Sequence, residues 1–268
     1  SSTFTPPSGA RRPDMTWTLA GASGARLAIR PTPWDARALG RPTLDITEAA
    51  LAGDEGVADD TDVITAFRDL CDKEQAGLVT GRLPAERRIA IARLQAIGFR
   101  YVETVQTLRF ANLARFEPPC RPAPLRIAAA EDHAALLTQA AETFHYGRFA
   151  EDPAIPPEVN RRRQVDWMEG LLAGRATVLV TGASPRPGAF MAFTTADGSA
   201  DLVLGGTQPD QAVLALPFWT AILLHLKEQG IRRVDTVVSA ANIGVANLYA
   251  RLGFQLTGTR VGLHLHRP

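Results

Sequence analysis

A tyrosine and an asparagine near the C-terminus have the residue types and the spacing that chemistry requires. Asn242 stands where an apolar strand gives way to a predicted helix, and Tyr249 follows two turns later on nearly the same helix face. A phenol in that position can donate a proton at neutral pH, or it can pack as a core aromatic with its hydroxyl bonded to backbone. Asn242 can cap the helix or contact a ligand, and the residues alone leave both pairs of alternatives open.

The second half of the chain predicts the elements that hold these two side chains. Apolar residues favour a strand over 234–239 and a helix over 243–252, which Gly253 ends before Phe254 enters the core. Upstream, the pattern predicts a strand, two helices, three strands and a helix over 217–229. This order indicates a mixed α/β unit in which antiparallel strands come first and a strand-helix-strand unit follows.

The first half has weaker patterns. A helix is predicted over 63–73, and Pro84 suits the first turn of a helix running to 97. Residues 31–35 indicate a loop, whereas 45–52 fit either a helix or a continued strand. Gly98-Phe99 and Gly253-Phe254 both follow a predicted helix and precede a predicted strand. That echo is either a coincidence or the trace of two related units in tandem.

Proline content indicates how the chain is divided. Four prolines fall within the nine residues 116–124, which excludes a continuing helix or a central strand there. We therefore predict a smaller domain over 15–116, a linker over 117–124 and a complete domain over 125–268. Residues 1–14 are rich in Ser, Thr and Pro and are predicted to be a disordered leader.

Composition excludes several classes of protein. Apolar residues make up 46% of the chain, enough for a sizeable core, and a net charge of +1 gives no field that would attract nucleic acid. No apolar run is long enough for a membrane span. Two cysteines are too few for a disulfide framework or a structural zinc site. We expect a cytoplasmic protein without a metal.

The segment Val-Val-Ser-Ala-Ala-Asn-Ile-Gly-Val-Ala-Asn-Leu-Tyr-Ala-Arg-Leu-Gly-Phe, residues 237–254, resembles the last motif of the GNAT acyltransferase superfamily. The resemblance implies the GNAT fold, with a mixed α/β sheet, and an acetyl group donated by acetyl-CoA. It implies that Tyr249 is the general acid that protonates the departing thiolate and that Asn242 contacts the cofactor. It also implies that the strand at Leu204, Gly205 and Thr207 pairs with the pantetheine arm, where Gly205-Gly206 would suit a bulge that frees an N–H group.

One segment departs from the superfamily pattern. Where the family has a glycine-rich loop that binds the CoA pyrophosphate, residues 209–217 contain no glycine and no basic residue. Val213, Leu214 and Ala215 occupy the positions of the loop, and Asp210 would repel a diphosphate. Bulky side chains disfavour the positive φ angles that let backbone N–H groups converge on phosphate. The sequence therefore predicts a weakened hold on the CoA nucleotide.

A second stretch resembles the bacterial dTDP-fucosamine acetyltransferases. It reads His-Tyr-Gly-Arg-Phe-Ala-Glu-Asp-Pro-Ala-Ile-Pro over 145–156 and is followed by a helix that carries Trp167. The resemblance implies a truncated GNAT-like first unit ahead of a complete one. It also implies an acceptor amine on a nucleotide-linked sugar, in a pocket built from His145, Tyr146, Arg148 and Asp152.

Two other functions fit the same fold. An acyl carrier protein could present the pantetheine arm in place of CoA, and it could meet the basic run 161–163. Alternatively, the chain could be a binding or regulatory protein that has lost CoA, for which the missing glycines are the main argument.

Overall fold

The computed structural model describes residues 15–268, so the predicted leader over 1–14 lies outside the described residues. The chain forms two compact units, one of residues 15–103 with 260–268 and the other of Thr104–Thr259. The proline-rich segment 117–124 thus lies within the second unit. None of the helices in the described residues is long and apolar enough to cross a membrane.

The first unit is a mixed sheet with helices. Its elements are β1 (Trp17–Ala20), β2 (Arg26–Pro31), α1 (Pro33–Leu39), β3 (Thr43–Ala50), α2 (Thr61–Lys73), β4 (Leu78–Pro84), α3 (Arg88–Ala96) and the start of β5 (Arg100–Phe110). The strands lie in the order β1-β2-β3-β4-β11, because the last residues of β11 (Gln255–His266) pair antiparallel with β4. Strands β3 and β4 are parallel, and α2 connects them.

The second unit repeats this plan with additional elements. They are β6 (Arg126–Ile127), α4 (His133–Thr143), α5 (Pro157–Gly170), β7 (Thr177–Thr181), β8 (Ala189–Ala196), β9 (Ser199–Thr207), α6 (Ala215–Glu228), β10 (Arg233–Ser239) and α7 (Ile243–Arg251). The strands lie in the order β5-β10-β9-β8-β7-β6, and β9 is parallel to β10 across α6. The predicted mixed α/β fold is confirmed.

Each face of the second sheet has its own core. Strand residues Phe193 and Leu202 pack with side chains of α6 and α7, whereas Phe190 and Leu204 pack with side chains of α4 and α5. A fully buried Phe or Leu contributes about 1.5–3 kcal/mol relative to an exposed one. Strand β9 therefore separates two apolar layers, and its side chains reach both.

Several local predictions for the first unit were wrong. Pro84 ends β4 instead of starting a helix, and α3 begins at Arg88. A helix starts at Pro33, where a loop was predicted, and the ambiguous stretch 45–52 is mostly strand β3. Parallel pairing with β4 decides the last case, because the helical alternative would leave the β4 edge without its partner.

The Gly-Phe dipeptide that occurs in both units is part of a larger structural repeat. Strands β4 and β10 have equal length, and both are followed by a nine-residue helix, α3 or α7. Gly98 and Gly253 then take φ angles of 110° and 92°, which side chains rarely adopt. The spacing from the first unit to the second is a constant 155 residues, from Leu78 to Arg233 and from Gly98 to Gly253.

Candidate active site

Strands β9 and β10 separate part-way along their length. Their parallel pairing runs from Ser199 opposite Arg233 to Leu202 opposite Thr236 and ends there in the described structure. At this last rung the Thr236 hydroxyl donates to the Leu202 carbonyl at 3.1 Å. Beyond it β9 continues to Thr207 and β10 to Ser239. A wedge therefore opens between two strands whose facing backbone groups are unpaired with each other.

A β-bulge lies where the wedge begins. On β8, Ala192 faces Leu204 while Phe193 faces Leu202, which leaves Val203 as the extra residue. The predicted bulge at Gly205-Gly206 was wrong by two residues. Packing explains Gly205 instead, because a Cβ there would lie 2.5 Å from Met191 Cε. The predicted residues Leu204, Gly205 and Thr207 all lie beyond the last paired rung.

Tyr249 lies close to the point where the strands separate. Its ring packs edge-on against Phe254 with centroids 4.8 Å apart, and the residue is buried. Burial raises the pKa of Tyr249, while the polar neighbours Trp219 and Thr236 oppose that rise. The phenol thus stays protonated at neutral pH, beside the residue that closes the last rung.

Asn242 caps α7. Its Oδ1 accepts the backbone N–H of Val245 at 3.2 Å, which satisfies one of the unpaired donors at the helix start. Asn242 also lines a cavity, so the capping role and a place beside a ligand occur together.

That cavity has a volume of about 550 Å³ and lies between the start of α6 and the face of α7. It brings together three of the predicted cofactor residues, Val213, Ala215 and Asn242, whereas Leu214, Leu204, Gly205, Thr207 and Tyr249 are not part of its lining. The remaining lining residues are Cys120, Ala212, Leu216, Pro217, Gly244, Val245, Asn247, Leu248 and Arg251. The wall is mostly apolar, with two amides and one cation.

In the segment before α6, backbone N–H groups are engaged in hydrogen bonds within the segment. Residues Pro209–Leu214 form a 3₁₀ turn that is interrupted by a kink at Gln211, where φ is −120°. The N–H groups of Gln211 and Ala215 donate to the carbonyls of Gln208 and Ala212. Pro217 has no N–H group. This helix start therefore offers fewer free donors to a phosphate than a glycine-rich loop does.

The four predicted acceptor residues follow α4. His145 and Tyr146 are exposed, Arg148 is half-buried and Asp152 is buried. The Asp152 carboxylate accepts the Ala154 N–H at 2.9 Å, and the Arg148 guanidinium lies 5.8 Å from the Phe149 ring. None of the four is among the residues that line the described cavity.

Sequence reasoning assigned no cofactor contact to the other nine lining residues, which include Cys120, Asn247 and Arg251. Cys120 belongs to the proline-rich segment, whose Ala123 N–H donates to the Pro217 carbonyl at 3.1 Å and so holds that segment against α6. Asn247 and Arg251 lie on α7, within the motif, at positions for which no role was predicted. The helical spacing of Gly244, Asn247, Leu248 and Arg251 would have identified this face.

No protein-family model and no curated protein matches this sequence. Solved structures do. A GCN5-related N-acetyltransferase from Sphaerobacter thermophilus aligns at TM-score 0.65 and 15% identity, over 93% of this chain and 80% of that one. A GCN5-related N-acetyltransferase from Kribbella flavida aligns at 0.53 and 17%, over 94% and 90%. A tandem GNAT protein from the clavulanic acid biosynthesis pathway aligns at 0.55 and 17%, over 91% and 79%.

The fold is that of the GNAT enzymes. The alignments cover most of this chain and most of each neighbour, so the likeness extends over both compact units. Sequence identities of 15–17% support a shared fold but do not establish a shared reaction.

Proposed function

We propose that this chain is an N-acetyltransferase that moves an acetyl group from acetyl-CoA to a primary amine. The observation that carries the proposal is the wedge between β9 and β10, which opens at the Val203 bulge. Unpaired backbone groups at such a wedge can pair with the amide groups of a pantetheine arm. Tyr249 lies beside Thr236 at the end of the paired region, where a proton donor is needed.

The reaction needs no covalent enzyme intermediate. The neutral amine nitrogen attacks the thioester carbonyl carbon, the carbon–sulfur bond breaks, and the thiolate takes the proton of the Tyr249 hydroxyl. The nitrogen releases its extra proton to solvent, and the Tyr249 phenolate takes up a proton from solvent before the next turnover. A backbone N–H freed near the bulge would donate to the carbonyl oxygen as negative charge develops on it. The raised pKa of Tyr249 keeps the phenol protonated until the thiolate forms.

The cavity residues fit the donor in part. The apolar wall suits the pantetheine chain, and Arg251 is the charged side chain of the lining, at the last turn of α7. The 3₁₀ turn before α6 uses its N–H groups internally, so the diphosphate would depend more on Arg251 than on backbone. We expect acetyl-CoA to bind more weakly than it would beside a glycine-rich loop.

As the more specific acceptor substrate, we propose an amine on a nucleotide-linked amino sugar. Support for it comes from the resemblance of residues 145–156 and from Arg148, a guanidinium suited to a diphosphate. His145, Tyr146 and Asp152 complete this proposed region.

A carrier protein is the second candidate donor. Val213 is 82% exposed and Ile243 is 67% exposed, each on or next to the lining of the cavity. Apolar residues at that position suit a protein surface that brings its own pantetheine arm. A binding or regulatory role without catalysis would fit the same loop.

Calorimetric titration of the whole chain with acetyl-CoA separates these functions. Saturable binding, together with thiol release when amines are added, is the result expected for the acetyltransferase. Thiol release from acetyl carrier protein without binding of acetyl-CoA would favour the second donor. If neither donor binds, the acetyltransferase proposal is wrong.

A further inference from the structure

The indole of Trp219 has a donor hydrogen that is not used in the resting protein. Trp219 lies on α6 and is 3% exposed, yet its Nε1 makes no hydrogen bond within the described residues. Buried polar atoms without a hydrogen bond also occur in the described amides on α4 and α5, which cover the other sheet face: Gln139, Asn160 and Gln164. Buried indole N–H groups usually find a partner, so an unsatisfied one is a place to look for a role in catalysis.

Trp219 lies beside the proposed proton donor. The two side chains belong to one apolar core, in which the Tyr249 ring packs on Phe254 and the Trp219 ring packs on Phe218. The Trp219 indole and the Thr236 hydroxyl are the polar neighbours of the Tyr249 hydroxyl. Burial raises the pKa of Tyr249, and these two neighbours lower it. A neighbour lowers the pKa of a phenol when it favours the phenolate, so both lie close to the phenol oxygen.

The two neighbours differ in the hydrogen bonds that they can still make. The Thr236 hydroxyl has a single hydrogen, which it donates to the Leu202 carbonyl at 3.1 Å. Its oxygen can still accept a hydrogen bond, so Thr236 suits the neutral phenol of Tyr249. An indole N–H only donates, and that of Trp219 is unused. Trp219 is therefore matched to the phenolate form of Tyr249.

We propose, building on the acetyltransferase function proposed above, that Trp219 is a positioning residue that donates its indole N–H to the Tyr249 oxygen during proton transfer. The O–H bond of Tyr249 breaks as its hydrogen moves to the departing thiolate, and the electron pair of that bond stays on the phenol oxygen. The indole N–H bonds to this oxygen and keeps its own hydrogen. The contact ends when solvent returns a proton to Tyr249.

The surroundings of Tyr249 make this donor important. The core around the ring is apolar, and burial disfavours a charged phenolate there. Thr236 can turn its hydrogen towards the phenolate only by leaving the Leu202 carbonyl, at the last paired rung of β9 and β10. Trp219 can donate without breaking any hydrogen bond of the described structure. Hydrogen bonds to a charged oxygen are stronger than neutral ones, so this donor acts mainly in the transition state.

Titration of Tyr249 tests the contact without any acyl donor. The chain has three tyrosines, and Tyr101 and Tyr146 are exposed, so replacing these two by Phe leaves Tyr249 alone. Incorporation of a fluorinated tyrosine, which is a stronger acid, then gives one fluorine NMR signal. We expect Trp219→Phe to move the titration midpoint of this signal to higher pH, because the donor that favours the phenolate is lost. Trp34→Phe removes an exposed indole of α1 and is the matched control, with an unchanged midpoint.

Kinetics test whether the contact acts through Tyr249. Trp219→Phe alone should lower kcat for acetyl transfer about tenfold and leave the KM for acetyl-CoA nearly unchanged, because the hydrogen bond strengthens only as charge develops. In the Tyr249→Phe background the same change should have no further effect, since no phenol oxygen remains to receive the hydrogen. If Trp219→Phe does not fold, benzothienylalanine at position 219 keeps the shape of the indole and replaces its N–H by sulfur.

Two results would overturn the inference. A midpoint that stays or falls in Trp219→Phe would mean that the indole does not donate to the Tyr249 oxygen. Losses in kcat that multiply in the double variant would mean that Trp219 acts through packing and not through Tyr249. Because the titration uses no acetyl-CoA, a raised midpoint in a chain that transfers no acetyl group would confirm the contact and count against the acetyltransferase function alone.

Discussion

In both units two parallel strands separate part-way along their length, but the side chains beyond the point of separation differ. In the first unit, parallel pairing of β3 and β4 ends with Ile46 opposite Gly81, and a bulge at Thr47 follows. In the second, pairing of β9 and β10 ends with Leu202 opposite Thr236, and the bulge is at Val203. The backbone plan is therefore shared, and the two wedges differ in their side chains.

Beyond the last paired rung of the first unit, arginines and carboxylates bond to each other and to backbone groups. Arg87 precedes α3 as Asn242 precedes α7, and its guanidinium donates to the Ala49 carbonyl at 2.6 Å and to Asp54 at 3.1 Å. Asp60 accepts the Ala52 N–H at 3.0 Å and pairs with Arg93. Asp54 and Asp60 thus place anions in the segment that corresponds to the 3₁₀ turn of the second unit.

The proposed proton donor, Tyr249, also has no counterpart in the first unit. Leu94 occupies the position in α3 that Tyr249 occupies in α7, and it is fully buried. A leucine cannot protonate a thiolate. The residue proposed as the proton donor in the second unit is therefore replaced by an apolar side chain in the first.

The largest effect is expected from opening the first wedge. Arg93→Leu leaves the Asp60 carboxylate, 1% exposed, without its partner. We expect the free energy of unfolding to fall by about 3 kcal/mol, measured by urea denaturation. Arg88→Leu, an exposed change on the same helix, is the control and should stay within about 0.5 kcal/mol. A loss no greater than that of the control would show that the pair does not hold the wedge closed.

Asp60 determines how the loss of unfolding free energy in Arg93→Leu depends on pH. Its hydrogen bond to Arg93 holds the pKa of Asp60 below its usual value. A carboxyl whose pKa is lower in the folded state adds stability above about pH 4, and this stability disappears as the pH falls through the folded pKa. The difference between wild type and Arg93→Leu should therefore be constant near neutral pH and shrink below about pH 4.

The next effect concerns Tyr249, the proposed proton donor of the second unit. Tyr249→Phe should lower kcat for acetyl transfer on the order of 100-fold and leave the affinity for acetyl-CoA nearly unchanged. Tyr101→Phe, an exposed change in the first unit, serves as the control. Steady-state thiol release measures both variants. Full turnover in a folded Tyr249→Phe protein would exclude the general-acid role.

The smallest effect should come from restoring glycines before α6. Val213→Gly combined with Ala215→Gly frees backbone that the 3₁₀ turn now constrains. One added charge-assisted hydrogen bond is worth about 1.5–3 kcal/mol, so CoA should bind at least about tenfold more tightly. A pantetheine fragment without the nucleotide should gain little, as titration of both ligands would show. Equal gains, or low-micromolar affinity of the unchanged chain for CoA, would mean that phosphate is already well held.

The sequence predicted most where one local signal decides the structure. Asn242, Gly253 and Phe254 follow from capping and chain-reversal chemistry, and the strand before Asn242 and the helix after it were placed nearly as observed. Pro84 misled, because proline suits the end of a strand as well as the start of a helix. The bulge was misplaced for a similar reason, because a glycine can reflect close packing as well as a bulge. Gly205 packs against Met191, whereas the register shifts at Val203.

The site itself was predictable only in part. Val213, Ala215 and Asn242 were assigned from a resemblance and do line the cavity. Cys120 reaches the cavity from a segment about 100 residues before α6, and no local pattern reports such a contact. The buried amides of Gln139, Asn160 and Gln164 could not be predicted either, because a sequence does not show which polar atoms lack hydrogen bonds.

The last strand has a consequence for how the chain is made. Residues 260–266 of β11 pair with β4, beside buried Leu78, Val79 and Leu83. A ribosome delivers those residues only after the whole second unit has emerged. During synthesis the β4 edge of the first unit therefore lacks its β11 partner. Exposed strand edges can pair incorrectly with other strands. The unit that is synthesised first is the last to be completed.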